Sequence, residues 1–88
     1  MEMTFDAAKD ASNLAKHGVA LTDALAFEWD TAICIPDTRQ NYGEPRVLAI
    51  GYIGLRLHTV VFVDREGVRR IISLRKANNR EAKRYAKA

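Results

Sequence analysis

Metal ligands, reactive nucleophiles and phosphate-binding loops are scarce in this sequence. It has one cysteine and two histidines, and their wide separation provides no zinc-ligand spacing. Because Cys34 is the single cysteine, a disulfide framework is excluded, and its apolar neighbours predict a small buried residue. No glycine-rich phosphate loop and no G-x-S-x-G motif is present. We therefore expect neither a metal nor a cofactor.

Long apolar segments are also missing. The sequence has no apolar run of about 18 residues, which a membrane-spanning helix needs, and no segment that resembles a signal peptide. It therefore predicts a soluble cytoplasmic protein without membrane association. Its 88 residues predict one domain, residues 1–88, and 48% hydrophobic residues are enough for one core.

Charge is divided unequally between the two halves of the chain. Residues 1–44 contain three Lys or Arg and eight acids, a net charge of −5, whereas residues 45–88 contain eleven Lys or Arg and three acids, a net charge of +8. Such asymmetry suggests that one surface meets an anion. The alternative is that acidic helices pack beside a basic sheet and neutralise it.

Apolar periodicity and turn residues predict an α+β fold with seven elements. The predicted elements are a helix from the Asp6 cap to the Gly18 stop, a second helix that begins at Thr22, strands over 31–35, 46–53, 55–63 and 68–74, and a helix that begins at Asn78. The short connections, including a hairpin turn over 64–67, favour antiparallel pairing. The prediction is two N-terminal helices, a four-stranded antiparallel sheet with one incompletely covered face, and a C-terminal helix.

The last predicted strand separates its side chains into two sets. The set expected to face the helices is Val68, Arg70, Ile72 and Leu74. The set expected on the open side is Arg69, Ile71, Ser73 and Arg75. Arg75 lies at the strand end beside the final helix, and an arginine can give two hydrogen bonds to one phosphate. The pattern equally allows an exposed arginine with no specific partner.

The last twenty residues contain eight Lys or Arg and a single acid, Glu81. Asn78 and Glu81 have the spacing of a capping box, which accounts for the glutamate as a cap. Arg80 lies in the first turn, where the helix dipole disfavours a cation, so a purely stabilising role suits it poorly. Lys83 and Lys87 are interpreted as solvated.

Three further residues could take part in proton transfer or phosphate binding. His17 ends the first helix, where it can act as an acid or base or simply bond a free carbonyl. Glu44 and Arg46 precede the second strand and could form a local ion pair, or a base and a phosphate clamp. These residue types suit RNA cleavage by the RNA's own 2′-hydroxyl, which needs no metal and no protein nucleophile.

The chain resembles the BrnT family of bacterial type II toxins along nearly its whole length. The matching blocks are Phe5 to Lys9 with Asn13 and Lys16 to Val19; Asp37 and Arg39, then Glu44 and Arg46, then Gly51; and Arg70 to Ala77 with Arg80, Glu81 and Tyr85. Each short motif is weak alone, but their order and spacing make the match specific. One departure is Thr4, which stands where many members have a tryptophan.

The resemblance implies a RelE-like fold and a ribonuclease that arrests translation. It also implies a BrnA-like antitoxin with a ribbon-helix-helix part, through which alone the toxin would reach operator DNA. Carried over residue by residue, the resemblance gives six candidates: Lys16, His17, Glu44, Arg46, Arg75 and Arg80. We expect Arg46 and Arg75 to hold the scissile phosphate and His17 or Glu44 to be the base. Lys16 and Arg80 are expected to hold the RNA backbone.

Two other functions fit the same basic segment. One is a catalytically silent partner that only binds its antitoxin, and the other is an RNA-binding module that does not cleave. The aromatic content of 8%, with no aromatic pair on the strands, disfavours a module that binds by base stacking.

Overall fold

A computed structural model of the chain describes residues 1–41 and 43–88. Its elements in chain order are β1 (Glu2–Phe5), α1 (Ala7–His17), 3₁₀ helices at Leu21–Ala26 and Trp29–Thr31, β2 (Ile33–Pro36), β3 (Val47–Ile53), β4 (Arg56–Arg65), β5 (Val68–Lys76) and α2 (Asn79–Ala86). The strands form one sheet in the order β1-β5-β4-β3-β2. Strand β1 runs parallel to β5, and every other neighbouring pair is antiparallel. The α+β class is confirmed, but the sheet is mixed and has five strands.

The prediction that the chain begins with a helix is wrong, because β1 comes first. This strand pairs with β5 along Glu2–Val68 to Phe5–Ile71. Met3 and Phe5 pack against the core, whereas Glu2 and Thr4 are exposed. The four residues thus alternate with the period of a half-buried strand, but four residues are too few to predict pairing with a segment more than sixty residues away.

The first helix was predicted correctly at both ends. The Asp6 carboxylate accepts a hydrogen bond from the Lys9 N–H at 3.0 Å, which caps the N-terminus. Gly18 has a φ of 71° and donates its N–H to the Leu14 carbonyl at 2.8 Å. Glycine adopts this left-handed conformation without steric cost, so it ends the helix.

The second predicted helix is not an α-helix and does not begin at Thr22. It is a 3₁₀ helix whose buried residues, Leu21 and Ala24, are followed by buried Phe27. A spacing of three matches the three residues per turn of a 3₁₀ helix, which puts all three side chains on the core side. The Leu21 N–H donates at 2.7 Å to the carboxylate of Asp10, which lies eleven residues earlier in the chain.

The predicted hairpin turn after β4 is confirmed, although it is shorter than predicted. Only Glu66 and Gly67 lie between the strands, with φ values of 53° and 80°. Two positive φ values in a two-residue loop match the right-handed twist of the strands that it joins. The other predicted strand limits differ from the observed ones by at most two residues.

Two apolar clusters lie on opposite faces of the sheet. On the core face, Ala49, Val60 and Phe62 pack with the Leu21–Ala26 helix and Phe27. On the other face, which we call the α2 face, Leu48, Ile50 and Val61 form a smaller cluster, against which Tyr85 of α2 packs. The Tyr85 ring also meets Tyr52 edge-on at a centroid distance of 5.6 Å. Helix α2 therefore covers part of this face.

A β-bulge changes the predicted faces of the last strand. Val61 pairs with Ser73 but Phe62 pairs with Ile71, so Ile72 is an extra residue in β5. As a result, Ile71 and Leu74 both enter the core, and Ile72 packs on the α2 face. The prediction that Ile72 and Leu74 share a face is wrong.

Two arginines of β5 also lie on the faces opposite to those predicted. The Arg69 guanidinium lies 4.0 Å from the Phe62 ring centroid and 4.6 Å from that of Trp29, on the core face. Arg70 was predicted to face the helices and is exposed. Cys34 was predicted to be buried and is also exposed, because β2 is an edge strand.

Candidate functional site

Four arginines lie on the α2 face of the sheet. Arg75 pairs with Thr59 and Arg70 pairs with Val63, both on β4, and Arg65 follows on the same strand at the same parity. Arg46 precedes β3 and has the parity of Leu48 on the α2 face. These are Arg46, Arg65, Arg70 and Arg75. The α2 face is therefore strongly basic.

Arg75 is held by the first turn of α2. Its Nη1 and Nη2 donate to the two carboxylate oxygens of Glu81 at 2.7 and 2.9 Å, and the pair is largely buried. Glu81 also accepts from the buried Thr59 hydroxyl at 2.9 Å and from the Asn78 N–H at 3.0 Å. Asn78 in turn accepts from the Glu81 N–H, so the predicted capping box is confirmed. One carboxylate thus fixes the helix start and the arginine together.

The ion pair changes the acidity of Glu81. Burial of this carboxyl acts to raise its pKa, but the hydrogen bonds from Arg75, the Asn78 N–H and the Thr59 hydroxyl outweigh burial. The pKa of Glu81 is therefore lowered from its ordinary value, and the residue is a carboxylate at neutral pH. A bidentate fork between charged partners also holds the Arg75 guanidinium plane in one orientation.

Glu44 and Arg46 lie near one another at the opposite end of the α2 face. They line one recess of about 410 Å³ together with residues 36–38, 40, 41 and 45. The Glu44 carboxylate accepts from Arg65 Nη2 at 2.7 Å. The Arg46 carbonyl accepts from the Asp37 N–H at 2.9 Å, which ties the loop to the start of β3. The carboxylates of Glu44 and Asp37 thus lie around this recess together with the guanidinium groups of Arg46 and Arg65.

His17 and Lys16 lie at the edge of the sheet, where α1 passes β5. They line a recess of about 210 Å³, here called the α1–β5 recess, whose other residues are Lys9, Ser12, Asn13, Ile72 and Ser73. Ser73 is two residues from Arg75 on the same strand. Lys16 is exposed and His17 is half-buried. The recess therefore opens beside the Arg75 end of the α2 face.

The candidate residues thus form two groups on one side of the molecule. Arg46 and Arg75 are separated by four residues along the strands and two strands across, which is about 16 Å between Cα atoms. Glu44 lies with Arg46, whereas His17 and Lys16 lie near Arg75. Arg80 is exposed in the first turn of α2, one residue from Glu81. A single stretch of bound polymer could contact both groups.

Sequence reasoning did not find the partner of Arg75 or the contribution of Arg65 and Arg70. Glu81 was assigned only as a helix cap, because the capping-box spacing accounts for it completely. The signal that could have indicated the ion pair is the position of Glu81, six residues after Arg75, where the last strand ends and the last helix begins. The face on which Arg70 lies could not be predicted from alternation alone, because the bulge at Ile72 reverses the faces of the residues before it.

Within residues 1–41 and 43–88, no three His, Cys, Asp or Glu side chains lie together in a group able to hold a metal ion. In the same residues, no helix has the length and apolar character needed to cross a bilayer.

A family model described as "Ribonuclease toxin, BrnT, of type II toxin-antitoxin system" matches residues 5–81. No curated protein matches the chain. The family match includes all the candidate residues, from Lys16 and His17 to Arg80. A toxin of this type has an antitoxin partner and acts on RNA. With nearly the whole chain matched, this protein belongs to the BrnT family of ribonuclease toxins of type II toxin-antitoxin systems.

Proposed function

We propose that this toxin is an endoribonuclease that cleaves RNA through the RNA's own 2′-hydroxyl, without a metal ion, and so arrests translation in the cytoplasm. The observation that carries the proposal is the bidentate pair of Arg75 with Glu81 on a basic sheet face. A fixed guanidinium can stabilise the charge that develops on a phosphate in the transition state, and such pre-organised groups are often the largest catalytic contribution.

Two properties of Arg75 support its proposed role in binding a phosphate. A guanidinium has five N–H donors, and two of those on Arg75 bond to Glu81. The other three are available to phosphate oxygens, and about a quarter of the side chain is exposed. Glu81 acts here as a positioning residue, because it orients the guanidinium rather than touching the substrate.

In the proposed reaction, the 2′-oxygen of one nucleotide bonds to the adjacent phosphorus while the bond from phosphorus to the 5′-oxygen breaks. A base removes the proton from the 2′-hydroxyl, and an acid gives a proton to the leaving 5′-oxygen. The products are an RNA with a 2′,3′-cyclic phosphate and an RNA with a 5′-hydroxyl. No external oxidant, reductant or co-reactant is needed.

His17 and Glu44 are the two candidates for proton transfer, and they belong to different groups. We favour His17, because the α1–β5 recess that it lines has Ser73 on its other side, two residues from Arg75. Glu44 is engaged by Arg65 at 2.7 Å and lies at the other end of the α2 face, away from Arg75. In this scheme Arg75 holds the scissile phosphate. Arg46 was also expected there, but because about 16 Å separates the two Cα atoms we now assign it to the same RNA strand further along. Lys16 and Arg80 contact its backbone.

The experiment is to express the wild type and Arg46→Ala/Arg75→Ala by induction in bacteria and to follow growth and RNA integrity. We expect the wild type to stop growth and degrade RNA, and the double variant to be harmless at equal protein level. A wild type that leaves growth and RNA unchanged would refute the nuclease proposal. A double variant as toxic as the wild type would refute the site.

The partner that we propose is a BrnA-like antitoxin with a ribbon-helix-helix part, and the toxin reaches operator DNA only through it. Membership of a type II system supports a protein antitoxin, and the family resemblance supports its class. The test is a gel-shift measurement with operator DNA. Antitoxin and complex should shift the DNA and toxin alone should not; a shift by toxin alone would contradict this part.

A further inference from the structure

The α1–β5 recess has features of an anion-binding site that the scheme above does not fully use. Two lysines, Lys9 and Lys16, and two hydroxyl residues, Ser12 and Ser73, lie around one small cavity. No carboxylate is among the residues that line it in the described part of the chain. Ammonium and hydroxyl groups are all hydrogen-bond donors. Together they offer positive charge and donors from two different elements.

The recess is built by the way in which α1 meets the sheet. Strand β1 pairs with β5 only as far as Ile71, so no strand covers this edge of β5 beyond that residue. There Asn13 takes the place of a strand: its amide donates to the Leu74 carbonyl at 2.7 Å and its oxygen accepts from the Leu74 N–H at 3.2 Å. This buried amide also donates to the Val19 carbonyl at 2.7 Å. Helix α1 is thereby fixed against β5.

This anchoring sets the positions of the donor groups. Lys9, Ser12 and Lys16 are four before, one before and three after Asn13, which puts them near the same side of α1. The bulge at Ile72 turns β5 at the opposite wall of the recess, next to Ser73. The donors are thus presented by rigid elements and not by a loop.

The size of the recess indicates what it can hold. A volume of about 210 Å³ is smaller than the 300–1,000 Å³ or so that is usual for pockets that enclose a drug-sized ligand. It suits one small anionic group. Ser73 and Arg75 are two residues apart on an extended strand, about 7 Å, so a phosphate in the recess lies close to one held by Arg75.

We propose that the α1–β5 recess is a subsite for one backbone phosphate of the RNA, next to the phosphate held by Arg75, with Lys9, Ser12, Lys16 and Ser73 as its donors. The proposal rests on the proposed function, because RNA is taken as the ligand. It extends that function by adding Lys9, Ser12 and Ser73 as RNA-binding residues. It also gives the path of the RNA strand, which runs from Arg75 along the edge of β5 toward α1.

The test uses a short single-stranded RNA in which every nucleotide carries a 2′-O-methyl group, so that it binds but offers no 2′-hydroxyl for cleavage. Binding is measured over a range of salt concentrations for the wild type, Lys9→Ala/Lys16→Ala and the matched control Lys83→Ala/Lys87→Ala. Both variants lose two exposed lysines, from α1 in the first and from the last part of α2 and its C-cap in the second. Circular dichroism and thermal unfolding verify that all three proteins are folded.

We expect Lys9→Ala/Lys16→Ala to weaken binding about tenfold and to reduce the slope of log affinity against log salt by about 0.7, the value for one phosphate contact on a single strand. The control should change both quantities by less than half as much. Lys9→Arg/Lys16→Arg should restore binding, and Ser73→Val should weaken it with no change of slope. Equal losses in the two double variants, or no loss in either, would overturn the subsite.

Failure of the subsite can be distinguished from failure of the proposed function. If the wild type binds the methylated RNA with the expected dependence on Lys9 and Lys16 but does not cleave the unmodified RNA, the subsite stands and the nuclease proposal fails. If the wild type cleaves RNA and the lysine variants bind like the control, the subsite alone fails.

Discussion

The Arg75 guanidinium donates to both carboxylate oxygens of Glu81, at 2.7 and 2.9 Å, across the junction of the last strand and the last helix. The same carboxylate accepts from the Thr59 hydroxyl at 2.9 Å and caps α2 through the Asn78 N–H. One acidic side chain therefore connects the sheet, the helix start and the arginine that we place on the scissile phosphate. Stability and activity should both depend on it.

Replacement of Glu81 by glutamine should lower the free energy of unfolding at pH 7 by about 2 kcal/mol, because hydrogen bonds to a charged group are lost. The matched control is Glu28→Gln, since Glu28 is exposed and far along the chain from this network. Urea unfolding of the three proteins measures the difference. A Glu81 variant as stable as the control would show that the network has no net stabilising effect.

The contribution of Glu81 should also depend on pH. Its pKa in the folded protein lies below the ordinary value of 4.5, so its stabilising effect is complete above that pH and is lost as the pH falls through the folded pKa. The difference in unfolding free energy between the wild type and Glu81→Gln should therefore be largest at pH 7 and should shrink below pH 4.5. Urea unfolding between pH 7 and pH 3 tests this, and a difference that grows in acid would contradict it.

Asn13 should be among the most sensitive buried positions. Its side chain makes three hydrogen bonds, to the Val19 carbonyl and to both backbone groups of Leu74. Asn13→Ala leaves buried backbone groups without partners and should cost about 3 kcal/mol, whereas the exposed Asn79→Ala should stay within about 0.5 kcal/mol. Thermal unfolding compares them. Equal stability of the two variants would show that α1 does not depend on this anchor.

Gly51 allows β3 to pack closely against Phe27 and Ala32, the residues that follow the two 3₁₀ helices. An added Cβ would lie 2.8 Å from Phe27 Cζ and 3.0 Å from Ala32 Cβ, so Gly51→Ala should cost about 1–3 kcal/mol by overpacking. Phe27→Leu removes the nearer ring atom. The double variant should therefore lose less than the sum of the two single losses, which a double-mutant cycle measures. Strict additivity would mean that another contact limits this position.

The two candidates for proton transfer can be separated by kinetics. If His17 is the acid or base, His17→Ala should lower kcat by about 10²-fold or more and leave KM nearly unchanged. Glu44→Gln should lower kcat less than tenfold, because Glu44 pairs with Arg65 at the other end of the face. Steady-state cleavage of one short RNA gives both constants. The reverse order of effects would assign the role to Glu44.

Local signals in the sequence predicted local structure well. The Asp6 cap, the Gly18 stop and the Asn78 cap each depend on residues within a few positions, and all three are present. The hairpin turn at Glu66–Gly67 also depends on a local signal. A two-residue loop of this type needs positive φ values, and the glycine at its end indicates them in the sequence.

Features that depend on distant residues were not predicted. The pairing of β1 with β5 joins segments more than sixty residues apart in the chain, and the bulge at Ile72 depends on how β4 lies beside β5. The bulge alone reversed the faces predicted for Arg69 and Arg70. The face of Arg75 was nevertheless predicted correctly, because the regular alternation resumes after the bulge. Leu74 lies in the core, as predicted, and Arg75 lies on the opposite, α2 face.

The most direct test of the account is the cleavage of a defined single-stranded RNA by purified protein in the presence of EDTA. Wild type, Arg75→Ala, Arg75→Lys and the control Arg56→Ala, whose side chain is exposed at the start of β4, are compared after their folding has been verified. We predict products with 2′,3′-cyclic phosphate ends, rates about 10²–10³-fold lower for Arg75→Ala, and an unchanged rate for Arg56→Ala. Undiminished cleavage by Arg75→Ala, or no cleavage by the wild type, would contradict the account.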